Sequence, residues 1–183
     1  LEFRRVLFRS VTIVPLPDTT VECTETIQLS LTPAAGSYDL GSPAIATLNL
    51  ADDDLPAVTL SVPDAAAAEA GLNPGQFRVT RTGCLTDPLT VSYSVGGDAT
   101  PGTDYVALSG SITTPAGASS ATFNVVPLDD TDPESTESIT VTILVGPGYI
   151  VETTQQGSVS LADNDTNFAP TANAGADQTV SVL

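Results

Sequence analysis

Two stretches of this chain are copies of one another, and that repeat limits what the chain can fold into. Residues 126–139 read V-P-L-D-D-T-D-P-E-S-T-E-S-I, and residues 14–27 read V-P-L-P-D-T-T-V-E-C-T-E-T-I. Pro127 lies 112 positions after Pro15, and at that offset Leu128, Asp130, Thr131, Glu134, Thr136, Glu137 and Ile139 all recur. Further on, Tyr38 matches Tyr149, and A-D-D-D at 51–54 matches A-D-N-D at 162–165, now at an offset of 111. One residue has been lost in between. A period of about one domain's length marks a repeated module, and 183 residues hold one full copy and part of another.

The second acidic stretch follows one run of alternating apolar residues and leads into another, Ile139, Val141, Ile143 and Val145, so it is a loop between strands. It carries Asp129, Asp130, Asp132, Glu134 and Glu137. Like charges this close repel unless a cation sits among them. A hard ion that takes six to eight oxygens, Ca²⁺ first, suits such a loop. The plain alternative is that Asp, Thr and Pro make good turns. Repetition of the carboxylate spacing favours the cation.

The same alternation runs through the chain and predicts an all-β fold. Aromatics are 5% of residues and Trp and Met are absent, so Val, Ile, Leu, Ala and Thr must fill the interior, which suits strands. Residues 11–54 show strand-like runs near 11–16, 26–32 and 44–50, the counterparts of the last three strands of the second copy. This first unit is therefore a C-terminal half, with exposed edges and an uncovered face. Residues 55–166 form the complete unit. One face of its strands carries Val58, Leu60, Val62, Phe77, Val79, Val91, Tyr93, Val95, Tyr105, Ile112, Phe123, Val125, Ile139, Val141, Ile143, Val159 and Leu161. About seven short strands separated by Gly, Pro and Asp turns make an antiparallel, Ig-like β-sandwich, in tandem with a partial second sandwich. The run D-A-A-A-A-E-A-G at 64–71 is helical by propensity but short and without an amphipathic face, so a loop or a strand switch is expected there.

Both ends differ from the middle. Residues 1–10, L-E-F-R-R-V-L-F-R-S, hold three of the five Arg and read as a non-native scar, a native basic strand being the alternative. Residues 167–183 shift to Ala, Asn and Gly and resemble the start of a polycystin-type Ig-like (PKD) domain, against a linker as the alternative. The chain reads as cut at both ends.

Residues 56–165 resemble a Calx-beta domain, the Ca²⁺-binding β-sandwich of sodium–calcium exchangers and many bacterial surface proteins. The matching motifs are A-E-A-G at 68–71, F-R-V-T-R-T-G at 77–83 and G-D-A-T-P-G-T-D-Y at 97–105. They continue with L-S-G-S-I-T at 108–113, P-A-G-A-S-S-A-T at 115–122, L-D-D-T-D-P-E-S-T-E at 128–137 and A-D-N-D at 162–165. The resemblance implies Ca²⁺ ligands from loops at one end of the sandwich. Glu69 would come from the first loop and Asp104 from the G-T-D-Y turn. Asp129, Asp130, Glu134 and Glu137 would come from the acidic loop, with Asp132 where the family can offer a backbone carbonyl. Asp163, Asn164 and Asp165 would close the set. Eight carboxylates in one place imply clustered ions sharing bridging ligands. Asn164 departs from a third Asp, and its amide oxygen can coordinate but carries no charge. In the first unit Asp18, Glu22, Glu25, Asp52, Asp53 and Asp54 correspond, Pro17 replaces the first Asp, and counterparts of Glu69 and Asp104 are missing, so weak binding is expected there.

Other chemistries fare worse. There is no His, which excludes Ser-His and Cys-His nucleophile systems. A carboxylate pair could hydrolyse glycosides, but few rings are available to line a sugar cleft. A formal charge of −17 argues against nucleic acid and anionic membrane surfaces. No stretch reaches the length of a transmembrane helix. The expected role is that of a Ca²⁺-binding structural or adhesive repeat of a large cell-surface or secreted protein, extracellular, with neighbouring domains of the same chain as partners and surface proteins or glycans as further ones. A regulatory Ca²⁺ sensor of a membrane transporter and a carbohydrate-binding module are the alternatives. In the family, consecutive units should stack head to tail, which implies that Cys23 and Cys84 face one another across the joint. Whether they bridge stays open, two free thiols being the favoured alternative.

Overall fold

The computed structural model describes residues 10–37, 39–153 and 155–166. The expectations for Tyr38, for residues 1–9 of the scar and for the PKD-like tail lie outside the described residues.

Alternation and turn chemistry place the strands where the sequence pattern puts them. The first unit contributes β1 (Glu25–Ser30) and β2 (Ile45–Leu50), paired antiparallel with Ile27 opposite Leu48. Residues 11–16, expected as a strand, form none: no strand among the described residues pairs with them, and Val11, Val14 and Leu16 are exposed.

The complete unit is built from β3 (Ala57–Asp64), β4 (Ala66–Ala68), β5 (Gly75–Arg81), β6 (Leu89–Gly97), β7 (Ser111–Thr114), β8 (Ser120–Val125), β9 (Glu137–Ile143), β10 (Ile150–Val151) and β11 (Gln156–Ala162). One sheet has the order β10-β3-β5-β8 and the other β4-β11-β9-β6-β7. The pairings are antiparallel except for the short β10 on β3 and β4 on β11. Two sheets packed face to face are the sandwich that the pattern predicts.

The Ala-rich run is the strand switch. β3 shifts register between Ser61 and Asp64, beside Pro63, which has no N–H to donate to a ladder. The chain then crosses to the other sheet, where β4 pairs with Ser160–Ala162, and a 3₁₀ turn, Ala70–Leu72, follows. Helix propensity loses here because an open strand edge is available and the run is too short to nucleate a stable helix.

Inward alternation fills the space between the sheets. Val58, Phe77, Val79, Val91, Tyr93, Val125, Ile139, Val141, Ile143, Val159 and Leu161 are buried. Phe123 stacks between Phe77 and Tyr93, at centroid distances of 5.4 and 4.8 Å. Leu60, Val62 and Ile112 pack against this core from its margin, and Val95 is more open than alternation predicts. Val145, assigned to the β9 run by alternation, lies beyond the strand end and is exposed. Tyr149 finishes that end of the molecule: its hydroxyl donates to the Leu144 carbonyl at 2.8 Å and accepts from the Ser92 N–H at 3.2 Å.

The two units are joined covalently. Cys23, at the acidic end of the first unit, is bonded to Cys84 in the turn between β5 and β6, with Cα atoms 4.9 Å apart. The free-thiol alternative is overturned. Head-to-tail stacking brings the two residues within bridging reach, a distance that sequence spacing does not encode. Val21 packs onto Gly83, where a Cβ would fall 2.3 Å from its Cγ1, and Gly83 has φ +81°. A larger residue at 83 would be strained and would push the units apart.

Candidate metal centre

Four loops meet at the end of the sandwich away from Cys84. They follow β4, β6, β8 and β11, and each brings carboxylates. The strand switch delivers Glu69, whose N–H donates to Ala162 O at 3.0 Å, so the loop after β4 is tied to the end of β11. The G-T-D-Y turn delivers Asp104. Its Oδ2 accepts from the Thr100 N–H at 2.6 Å, and its carbonyl accepts from Leu128 N–H at 2.9 Å, which ties the turn to the acidic loop.

The carboxylates gather into two groups. Glu69, Asp163 and Asp165 bring one oxygen each within 4.8 Å of one another, and so do Asp104, Glu134 and Glu137. Each group draws on segments far apart in sequence. Glu69 is 3% exposed and Asp104 2%, so these carboxyl groups have left water, and no cationic side chain among the described residues pairs with them. Among the described residues, Glu69 Oε2, Glu137 Oε2 and Asp165 Oδ2 are buried without a hydrogen-bond partner. A buried carboxylate oxygen with no donor is costly unless it protonates or binds a cation.

The proton affinities say the same. Burial, then the neighbouring Asp163 carboxylate, pushes Glu69 up to about 7. Burial, then Asp104, pushes Glu137 up to about 7. Burial and surrounding carboxylates also raise Glu134 and Asp165. Asp163 moves the other way, held low by the backbone N–H groups of Asp165 and Glu134. Asp163 also organises its neighbours: its Oδ2 accepts from Glu134 N–H at 2.7 Å and its Oδ1 from Asp165 N–H at 2.9 Å.

Of the remaining expected ligands, Asp130 closes the turn, its Oδ1 accepting from Asp132 N–H at 2.8 Å, and its charge acts on Glu69, Glu134 and Asp165. Asp132 is exposed at the tip and belongs to neither group. Asn164 Nδ2 donates to Asp129 Oδ1 at 2.7 Å. That bond occupies one of the two Asp129 carboxylate oxygens. In the first unit, Asp52, Asp53 and Asp54 form a third group, and Asp18, Glu22 and Glu25 line the same open cleft.

Sequence reasoning overlooked Asp98. Its Oδ1 accepts from the Ser138 N–H at 2.9 Å and from the Ser138 hydroxyl, and these two donors hold its carboxyl below the usual range. It stands in the G-D-A-T-P-G-T-D-Y motif, but six residues before Asp104, where spacing alone gives no reason to select it.

All-oxygen groups with three buried, unpaired carboxylate oxygens fit a hard divalent cation and offer nothing to a soft one. Such an ion would screen the mutual repulsion at this end of the sandwich.

The model of the Calx-beta domain family matches residues 52–165. Among solved structures, the apo form of the Calx CBD1 domain is similar at 21% identity with a TM-score of 0.48, covering 59% of this chain and 98% of that one. CBD12 from CALX1.2 is similar at 22% identity and a TM-score of 0.48, covering 58% of this chain and 46% of that one. The calcium binding domain CBD12 of CALX1.1 is similar at 23% identity and a TM-score of 0.48, covering 58% and 44%. No curated protein matches the chain. No helix among the described residues is long and apolar enough to cross a membrane.

Proposed function

The chain belongs to the Calx-beta domain family, and from that premise we propose that it is a Ca²⁺-binding module of an extracellular, multi-domain protein, in which the ion rigidifies the loop end of each complete unit. The observation that carries the Ca²⁺ reading is the set of three buried carboxylate oxygens without donors, supplied by loops that meet only in the folded sandwich. Glu69, Asp163 and Asp165 would hold one ion, and Asp104, Glu134 and Glu137 another. Asp130 would contribute charge to both.

The Cys23–Cys84 bond supports the extracellular part of the reading, because disulfides persist in oxidising compartments. It also supports a static module over a moving sensor, since a covalent joint limits reorientation of one unit against the next. Neighbouring domains of the same chain are the partners this arrangement serves first, with surface proteins or glycans beyond them.

Calorimetric titration of the metal-free chain with Ca²⁺, paired with melts in EDTA and in excess Ca²⁺, tests the proposal. At a free concentration of a hundred times Kd, binding to the folded state alone adds about 2.7 kcal/mol. No heat and no shift in midpoint would overturn it. A sensor would show a Ca²⁺-dependent change in the angle between the units by small-angle scattering with the disulfide intact, and the static module would not.

A further inference from the structure

Two of the polypeptide segments that carry the Asp104–Glu134–Glu137 group are held together by a residue that belongs to neither cation group. Asp98 and Ser138 bind one another in both directions. Asp98 Oδ1 accepts from the Ser138 N–H at 2.9 Å and from its hydroxyl, while the Ser138 carbonyl accepts from the N–H of Asp98 at 3.1 Å and of Ala99 at 3.3 Å. The close approach requires Gly97. It has φ +115°, and a Cβ there would fall 2.0 Å from the Ser138 carbonyl oxygen. Ser138 follows Glu137, whose Oε2 is buried and unpaired. From Asp98 the chain runs directly into the turn in which Thr100 N–H fixes Asp104 Oδ2. Fixing Ser138 therefore fixes the backbone beside Glu137 and the start of the turn that presents Asp104.

We propose that Asp98 is a positioning residue for the Asp104–Glu134–Glu137 cation site, acting by clamping the turn after β6 to the first residues of β9, and that it has no comparable effect on the Glu69–Asp163–Asp165 site. This rests on the Ca²⁺ reading above. The clamp works because both Ser138 donors converge on one Asp98 oxygen, Oδ1. The second site would take its ligands from the strand switch and the end of β11, and the hydrogen bonds of Asp98 among the described residues go to Ser138 instead.

The test is calorimetric Ca²⁺ titration of the whole chain, in the wild type and in two variant backgrounds. Asp98→Ala is expected to weaken Ca²⁺ binding about tenfold in the wild-type chain. Once Glu134→Ala has disabled the site, Asp98→Ala should add less than a further twofold. Combined with Asp165→Ala, which damages the other site, it should keep its full tenfold effect. Asp98→Asn keeps one acceptor oxygen and should fall between wild type and Asp98→Ala. Ser138→Ala keeps the backbone donor and should do the same, so these two carry the test if Asp98→Ala fails to fold, as judged by circular dichroism of the metal-free protein. Equal losses in both backgrounds would overturn the proposal by showing a general structural role. So would unchanged affinity in Asp98→Ala while the wild type binds, which leaves the Ca²⁺ reading standing. A wild-type chain that takes up no Ca²⁺ overturns both.

Discussion

The acidic loops of the two units make the same hydrogen bonds and end in different places. In the first, Asp18 Oδ1 accepts from Thr20 N–H, Asp52 Oδ2 from Glu22 N–H and Asp52 Oδ1 from Asp54 N–H, at 2.7, 2.7 and 3.3 Å. In the second, Asp130 accepts from Asp132, and Asp163 from Glu134 and Asp165, at 2.8, 2.7 and 2.9 Å. These are the same positions in the repeat. Yet Glu134's group includes the buried Asp104 and an unpaired Glu137 oxygen, whereas Glu22 and Glu25 stay exposed. The bonds to the residue two positions on follow from local sequence, and the bond from Glu22 or Glu134 joins the acidic loop to the end of the last strand. Burial follows from the loops after β4 and β6, which have no counterpart among the described residues of the first unit. A cation site of this kind is thus a property of the closed sandwich, and the acidic loop is one component of it.

The sharpest way to break the comparison is through the core. Ile139→Ala, at a fully buried position of β9, should cost about 2–5 kcal/mol in a denaturant melt. Leu29→Ala, on the equivalent but half-exposed β1, should cost within about 0.5 kcal/mol. Equal losses would mean that the first unit is as well packed as the second.

Next in size is cation affinity. Glu134→Ala should weaken Ca²⁺ binding by about tenfold or more, roughly 1.4 kcal/mol, and Glu22→Ala by less than about twofold. Asp87→Ala, in the turn at the far end, serves as the charge control. Similar losses in all three, read by calorimetry, would indicate a diffuse effect of net charge.

The pH dependence sharpens the same contrast. Glu69 and Glu137 are raised from 4.5 to about 7, so between those values the metal-free folded state binds more protons than the unfolded chain. Stability then falls as pH rises through that window. Asp163 and Asp98 are shifted downward and act below it. The metal-free midpoint should be higher at pH 5 than at pH 8, and the increment from Ca²⁺ should be larger at pH 8. A flat profile would mean that these carboxylates are solvated.

The smallest effect concerns the joint. Reduction of the Cys23–Cys84 bond should leave the Ca²⁺-dependent melt of the sandwich unchanged while speeding protease cleavage within residues 51–56. An altered Ca²⁺ response on reduction would tie the joint to the sandwich's cation sites.

Much of this was legible in the residues. Alternation identified Phe77, Val91, Ile139 and Val159 as core because a strand turns every second side chain to the same face whatever surrounds it. The repeat isolated the acidic loop because its turn bonds are local. Resemblance supplied Glu69 and Asp104, which composition and spacing alone could not join to residues dozens of positions away.

Other features depended on contacts that only the closed fold creates. Residues 11–16 have the alternation of a strand but no strand partner among the described residues, so they are not one. Residues 66–68 have the propensity of a helix and an open edge on β11, so they are a strand. Which carboxylates gather into one group was decided by the register of β4 on β11 and of β9 beside β6, and so was the clamp from Asp98 to Ser138. The pairing of Cys23 with Cys84 was decided by how one unit stacks on the next. The sequence by itself determined periodicity, charge and loop chemistry, because those are properties of neighbours along the chain. Burial, pairing and the unshared oxygens came from tertiary structure, because each depends on what the rest of the chain places opposite.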